Sequence, residues 1–247
     1  MENFFGRKLE RLMYIIMGKD KEFAEIKFWR RQINNFIGWY NGDIKELYGH
    51  PSPKGGEKVK AATEKISALL TFFEVHQKYK YKTDLLLNEN DFAGMKVLDI
   101  GSGAFPSSLA FKDSESYSLD PLMDAYIAAG YPLHCYEQRA RFVKSMAEDM
   151  PFEDSFFDAV ISVNAIDHVN DFAATAKEIK RVLKPGGRFR MHVHYHPKTK
   201  AEPIELNDEV FLKNYSWVKD IKKLKESKEK AGTALTDDNE SYVVWGN

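Results

Sequence analysis

Over roughly the first ninety residues the apolar positions recur at three- and four-residue spacing, and Val-Ile runs bounded by glycine are missing. This pattern predicts a helical front piece. One helix is expected over about 21–40 and a second over 59–73, where Val59, Ile66, Leu70 and Phe73, with Ala62 and Leu69 beside them, share one stripe. The run Tyr48-Gly49-His50-Pro51-Ser52-Pro53-Lys54-Gly55-Gly56 separates them as a breaker cluster and reads as a loop. From Met95 onward, short apolar or β-branched runs alternate with helical stretches, the signature of βαβ units and a parallel sheet. Strands are expected near 96–100, 117–119, 142–145, 159–163, 188–193 and 242–245. The clearest helix, at about 170–184, opens on Asn170-Asp171, carries apolar Phe172, Ile179, Val182 and Leu183, and ends among Lys180, Arg181 and Lys184 before Pro185-Gly186-Gly187 stops it. The charged run at 219–230 mixes both signs and reads as a solvated face or connection.

Composition narrows the function classes. With 36 basic and 37 acidic side chains, the chain offers no overall positive field for a nucleic acid. At 247 residues and 43% hydrophobic content it can bury a full core without staples. Its single cysteine, Cys135, cannot close an intramolecular disulfide or build a cysteine-based zinc site. The apolar run from Leu12 to Met17 is too short for a spanning helix and poor as a signal core, so the expected setting is cytoplasmic, without a membrane.

The strongest local signal is Val97-Leu98-Asp99-Ile100-Gly101-Ser102-Gly103-Ala104-Phe105-Pro106, a buried strand that enters a glycine turn and then, at Pro106, an expected helix start. Asp120 ends the next expected strand, 21 positions beyond Asp99, where a carboxylate can accept both hydroxyl hydrogens of a ribose. A dinucleotide site would want a third glycine, and Pro106-Ser107-Ser108 stands there instead. Asp99 beside the turn would repel a diphosphate and favour a ligand carrying an ammonium and a sulfonium. That description fits S-adenosylmethionine.

These residues resemble the class I S-adenosylmethionine-dependent methyltransferases, in particular small members similar to those of quinone pathways. The resemblance runs from about Met95 to Val193. It rests on the segment 97–103, on Ser118-Leu119-Asp120, on Ala147-Glu148-Asp149-Met150-Pro151-Phe152 followed by 155–160, and on Arg181-Val182-Leu183-Lys184-Pro185-Gly186-Gly187-Arg188-Phe189. It implies a Rossmann-like α/β fold: a seven-stranded, mostly parallel sheet with helices on both faces, here a domain over 93–247 behind an N-terminal helical cap over 1–92. It further implies that Asp99, Gly101 and Gly103 hold the methionine end of the cofactor, that Asp120 holds the ribose, and that Met146, Ala147 and Glu148 line the adenine, with Asn164 at the next strand end. Two positions depart from the family pattern: Phe105 replaces a frequent third glycine, and Met146 replaces an aspartate that would bind the adenine amine.

For substrate chemistry, Asn164-Ala165-Ile166-Asp167-His168 follows one expected strand and Met191-His192-Val193-His194-Tyr195-His196 ends another, both at carboxyl ends where open α/β sheets bind ligands. In an extended segment His192, His194 and His196 would share one face. Three roles stay open. His168, with Asp167 and His194 nearby, serves as a general base. Or Asn164, Asp167, His168 and His192 hold a divalent metal that acidifies a hydroxyl, an imperfect likeness to the Glu-x-x-Glu-His arrangement of some methyltransferases. Or the set only caps a turn. The aromatic front helices, with Phe28, Trp29, Trp39, Tyr40 and Tyr48, act as a lid or simply pack. The polar loop 195–203 favours a small hydroxylated or amine-bearing acceptor such as a sugar or nucleotide sugar, methylated at oxygen or nitrogen. The rival classes are a catalytically silent cofactor-binding module and a nicotinamide-dependent oxidoreductase.

Overall fold

The computed structural model describes residues 20–53, 62–199, 202–228 and 241–247. The 12–17 run, Val59, the segment Lys54-Gly55-Gly56 and the end of the charged run at 229–230 lie outside the described residues. Two helical stretches lead the chain. Helix α1 is Asp20–Asn41, and α2, Ala62–Phe72, continues through one π-helical turn, Phe73–Gln77, into α3, Lys78–Leu85. Leu86, left-handed at φ 54°, ends this stretch by donating its N–H to the carbonyls of Lys82 and Thr83. Between α1 and α2 a short hairpin pairs β1, Glu46–Leu47, with β2, His50–Pro51, so the expected loop contains a two-residue ladder.

The sheet that follows has seven strands: β3 (Lys96–Ile100), β4 (Glu115–Leu119), β5 (Ala140–Val143), β6 (Phe157–Val163), β7 (Leu183–Tyr195), β8 (Lys222–Ser227) and β9 (Ser241–Gly246). Their order is β5-β4-β3-β6-β7-β9-β8, with only the pairings of β9 antiparallel. Strand order reverses between β3 and β6, which opens a crevice at their carboxyl ends.

Helix α4, Met123–Ala129, follows β4, and alternation along the strands supplies both faces. Leu98, Ile100 and Val160 join a core with Phe172, Ala176 and Ile179 of α5 (Phe172–Val182) and Phe211 and Tyr215 of α6 (Asp208–Tyr215). Val97, Ala159 and Ile161 face the other way, against Leu85 and Phe111. Helix α5 starts where expected, because the Asp171 carboxylate accepts the N–H of Ala174, but it stops at Val182. Leu183 already pairs with Phe157, and the next pair is Ala159 with Arg188, so Pro185-Gly186-Gly187 bulges out of β7 instead of standing between helix and strand.

Two further expectations change. Pro106 does not open an α-helix: the crossover from β3 to β4 contains only a single 3₁₀ turn, Ser107–Ala110. The cover that a crossover helix would give comes from the front of the chain, where Phe36, Trp39, Tyr40, Phe72 and Phe73 share one core with Phe105, Leu109, Tyr126 and Tyr131. The charged run at 219–230 is not a plain connection either. It contains β8, the outer strand of the sheet, whose Lys222, Lys223 and Lys225 line an otherwise adhesive edge.

Candidate active site

The turn after β3 is built on two left-handed glycines, Gly101 at φ 64° and Gly103 at φ 62°. A Cβ on Gly101 would stand 2.3 Å from that of Ala165 beyond β6, so only glycine lets the two strand ends approach this closely. At Gly103 the nearest atom to such a Cβ is 3.9 Å away, on the Trp29 ring of α1. Trp29 donates its indole N–H to Glu25 and stacks edge-on against Phe105, Tyr126 and Tyr131. Helix α1 therefore roofs the glycine turn, while Trp39 and Tyr40 are buried in the core beneath it.

Two buried carboxylates hold this corner. Asp99 accepts from the Ser107 hydroxyl at 2.8 Å and the Ser108 N–H at 2.9 Å, tying β3 to the 3₁₀ turn. Asp120 accepts from the N–H groups of Gly103 at 2.9 Å and Leu122 at 2.8 Å, tying β4 to the glycine turn. Burial pushes both up to about 6 against these hydrogen bonds. At Asp120 the charge of Glu25 adds to the upward push and that of His168 opposes it.

The second corner lies at the ends of β6 and β7. Asn164, left-handed at φ 49°, meets His192 twice: its N–H donates to the His192 carbonyl at 2.9 Å, and its side-chain oxygen stands 3.0 Å from His192 Nδ1. Burial drives His192 down to about 4, so it is a neutral structural imidazole. Asp167 is buried, with Oδ2 3.1 Å from His196 Nε2 and 3.9 Å from His168 Nε2. Burial alone would raise Asp167, but the hydrogen bond with His196 and the charge of His168 pull it below the ordinary carboxylate range. His196 also approaches the Pro197 carbonyl through Nδ1 at 2.6 Å; its bond to Asp167 outweighs burial and raises it to about 9. With an acceptor facing each ring nitrogen, His196 is engaged on both sides and is not the free base of this corner. Tyr242, directly opposite His194 on β9, stacks on both His194 and His192, so these two histidines do share a face.

Residues 98–191 match the family model described as a methyltransferase domain. That stretch is a methyltransferase domain with the class I, S-adenosylmethionine-dependent type of fold. The chain is 34% identical over 106 residues to the uncharacterized methyltransferase YcgJ of Bacillus subtilis, 42% of each chain. It is 33% identical over 136 residues to cycloartenol-C-24-methyltransferase 1 of Oryza sativa subsp. japonica, 49% of this chain and 38% of the relative. To the ubiquinone/menaquinone biosynthesis C-methyltransferase UbiE of Rhizobium leguminosarum bv. trifolii it is 26% identical over 166 residues, 60% of this chain and 64% of the relative. Each match thus spans less than two thirds of the relative's length. The crystal structure of YcgJ superposes with a TM-score of 0.55 at 18% identity, over 68% of this chain and 97% of that one.

Within the methyltransferase domain, the donor chemistry of the first corner fits the family's cofactor: two buried carboxylates, hydrogen-bonded only by hydroxyl and main-chain groups, flank the glycine turn beneath Trp29. A ligand carrying a sulfonium and an ammonium supplies the positive charge this corner otherwise takes from no side chain in those bonds. On the adenine side, Met146 is partly exposed and Ala147 is buried. The Glu148 carboxylate instead accepts the N–H groups of Asn170 and Asp171 just ahead of α5, which leaves its main chain for any contact with a base. The four metal candidates Asn164, Asp167, His168 and His192 do not converge, because Asn164 and His192 are spent on each other. Asp167 turns to His196 in preference to His168, and His168 stands 3.7 Å from Glu202, a residue that sequence reasoning did not single out.

Proposed function

We propose that this protein transfers the methyl group of S-adenosylmethionine to an oxygen or nitrogen of a small polar acceptor, with a sugar or nucleotide sugar as the favoured class. The observation that carries the cofactor half is the left-handed Gly101–Gly103 turn at the strand-order reversal, clamped by Asp120 from the neighbouring strand. When bound, the cofactor supplies an electrophilic methyl group, so the protein's task is to orient, exclude water and manage one proton. Gly101 lets the turn close against Ala165, Gly103 lets the tail approach the main chain, Asp120 takes the ribose hydroxyls, and Trp29 shields the turn from solvent.

The acceptor half rests on the second corner, where His168, His194 and Glu202 present polar groups at the ends of β6 and β7. His168, with its side chain 29% exposed and neither carboxylate closer than 3.7 Å, retains the freedom a general base needs. Asp167 is a positioning residue: it fixes His196 and, through it, the chain leading to Glu202. The names of two relatives specify carbon methylation, which keeps a carbon acceptor as a second reading.

A thermal-shift panel with S-adenosylmethionine, S-adenosylhomocysteine, NAD and NADP tests the cofactor, since a ligand at about a hundred times its dissociation constant stabilises by roughly 2.7 kcal/mol. A shift with NAD alone overturns the reading. Turnover of a deuteriomethyl cofactor against sugars, nucleotide sugars, amines and quinols, followed by mass spectrometry, assigns the methylated atom. With the acceptor in hand, His168→Ala should abolish turnover and leave cofactor affinity intact; retained turnover removes the base.

A further inference from the structure

Asp167, His194, His196 and Glu202 each bring one oxygen or nitrogen donor to a cluster in which all four donor atoms lie within 4.8 Å of one another. We propose that these four residues form a binding site for a single divalent first-row transition cation of the zinc type. Two imidazoles and two carboxylates are the mixed donor set such ions take, and the two carboxylate charges neutralise the ion when both imidazoles are neutral.

Three features of the cluster point to a ligand beyond the proximity of its members. Asp167 is 1% exposed, yet its second oxygen, Oδ1, is buried with no hydrogen-bond partner among the described residues. Such an acceptor is costly to leave unused. The groups behind the donors are also arranged as metal ligands require, since a ligating histidine commonly donates its other ring N–H to a carbonyl or carboxylate. His196 faces the Pro197 carbonyl through Nδ1 at 2.6 Å, which leaves Nε2 turned to the cluster. Glu202 is held by Thr199, whose hydroxyl donates to Oε2 at 2.9 Å and accepts the Glu202 N–H at 2.9 Å. The ring of His194 is fixed by stacking on Tyr242 at 4.5 Å and 5°.

Closure is modest. Tetrahedral ligation at about 2.0–2.2 Å sets neighbouring donors roughly 3.3–3.6 Å apart. His196 Nε2 and Asp167 Oδ2 already stand at 3.1 Å. The remaining contraction falls on His194 and Glu202, the half-buried members, while Asp167 and His196 are the buried ones. The site differs from the Asn164, Asp167, His168 and His192 set, sharing only Asp167 with it. A cation here would orient and acidify an acceptor hydroxyl, a use that rests on the methyl-transfer reading; the binding itself does not.

The test uses the full chain, stripped with a chelator and titrated with Co²⁺ by absorption and with Zn²⁺ by calorimetry. The expected result is one equivalent bound with a d–d spectrum of mixed nitrogen and oxygen ligation. Loss of affinity of at least about tenfold is expected in each of His194→Gln and Glu202→Gln. These two positions are half-buried, so the test does not depend on Asp167→Asn folding. His50→Gln, in a separate His50–His76 pair 3.0 Å apart, should leave binding unchanged. No saturable uptake up to about 100 µM metal, unchanged affinity in both cluster variants, or loss in His50→Gln overturns the site. Metal binding without any S-adenosylhomocysteine binding keeps the site and removes the methyl-transfer reading, whereas the converse does the reverse.

Discussion

At the ends of β3 and β4 the buried carboxylates of Asp99 and Asp120 are pushed up to about 6, whereas at the end of β6 the equally buried Asp167 is held below the ordinary carboxylate range. The difference lies in what each corner contains. Around Asp99 and Asp120 the hydrogen bonds come from serine and main-chain donors, which only partly offset burial. Asp167 has the His196 imidazolium 3.1 Å away, a charge of opposite sign supplied by the protein itself. The first corner is therefore left with negative charge that a cationic ligand can satisfy. The second is already neutralised, by a proton on His196 or, in the inference above, by a metal ion in its place.

Breaking the compensated corner should cost the most. Asp167→Ala in chelator-treated protein removes the carboxylate that keeps His196 protonated and breaks a buried pair, and about 3–5 kcal/mol of unfolding free energy should be lost in urea melts. A loss below about 1 kcal/mol would show that the two corners are not electrostatically different. In the other corner the damage should appear in binding. If Asp120 holds the ribose as proposed, Asp120→Ala should weaken S-adenosylhomocysteine about a hundredfold by calorimetry, roughly 2.7 kcal/mol. An effect under about threefold would move the cofactor away from this carboxylate.

The pH dependences should run in opposite senses for binding and for stability. On the proposed role of Asp120, a carboxylate raised to about 6 has to be ionised to hold the cofactor, so affinity should fall by about tenfold per pH unit below that value. For folding, the native state binds more protons than the unfolded chain between about 4 and 6, so the contribution of Asp99 and Asp120 to stability rises as the pH falls through about 6 and is lost again as it rises. Flat cofactor affinity from pH 7.5 to 5 would contradict this assignment. The smallest effect is expected for Asp99→Asn, whose amide can still accept from the Ser108 N–H and donate to the Ser107 hydroxyl. Its stability at neutral pH should stay within about 1 kcal/mol of the parent, with a reduced gain on acidification in thermal melts.

Much of the first corner was legible in the sequence because its chemistry is local. The strand at 96–100 was placed without error, since Val97, Leu98 and Ile100 are buried on a strand covered on both faces, and the glycine turn follows within three residues. The second corner was only half legible. Asp167 and the histidines stood out as residue types, but the pairing of Asp167 with His196 spans 29 positions and the approach of Glu202 to His168 depends on the course of a loop. Strand β8 escaped notice because lysines that protect a sheet edge read the same as lysines on a solvated connection. The missing helix after Pro106 escaped for a related reason: its place is filled by α1 to α3, through contacts such as the Tyr81 hydroxyl with the Phe105 carbonyl.

Periodicity, the glycine turn and the acidic strand ends were enough to settle the α/β class, the parallel strands and the expectation of a sulfonium cofactor, because each depends on neighbours a few residues apart. Which carboxylate meets a cation depends on how β6, β7 and β9 are brought together. The tertiary structure alone decided that, since burial and charge partners act through space, and it left Asp99 and Asp120 without a basic partner in their hydrogen bonds while giving Asp167 one.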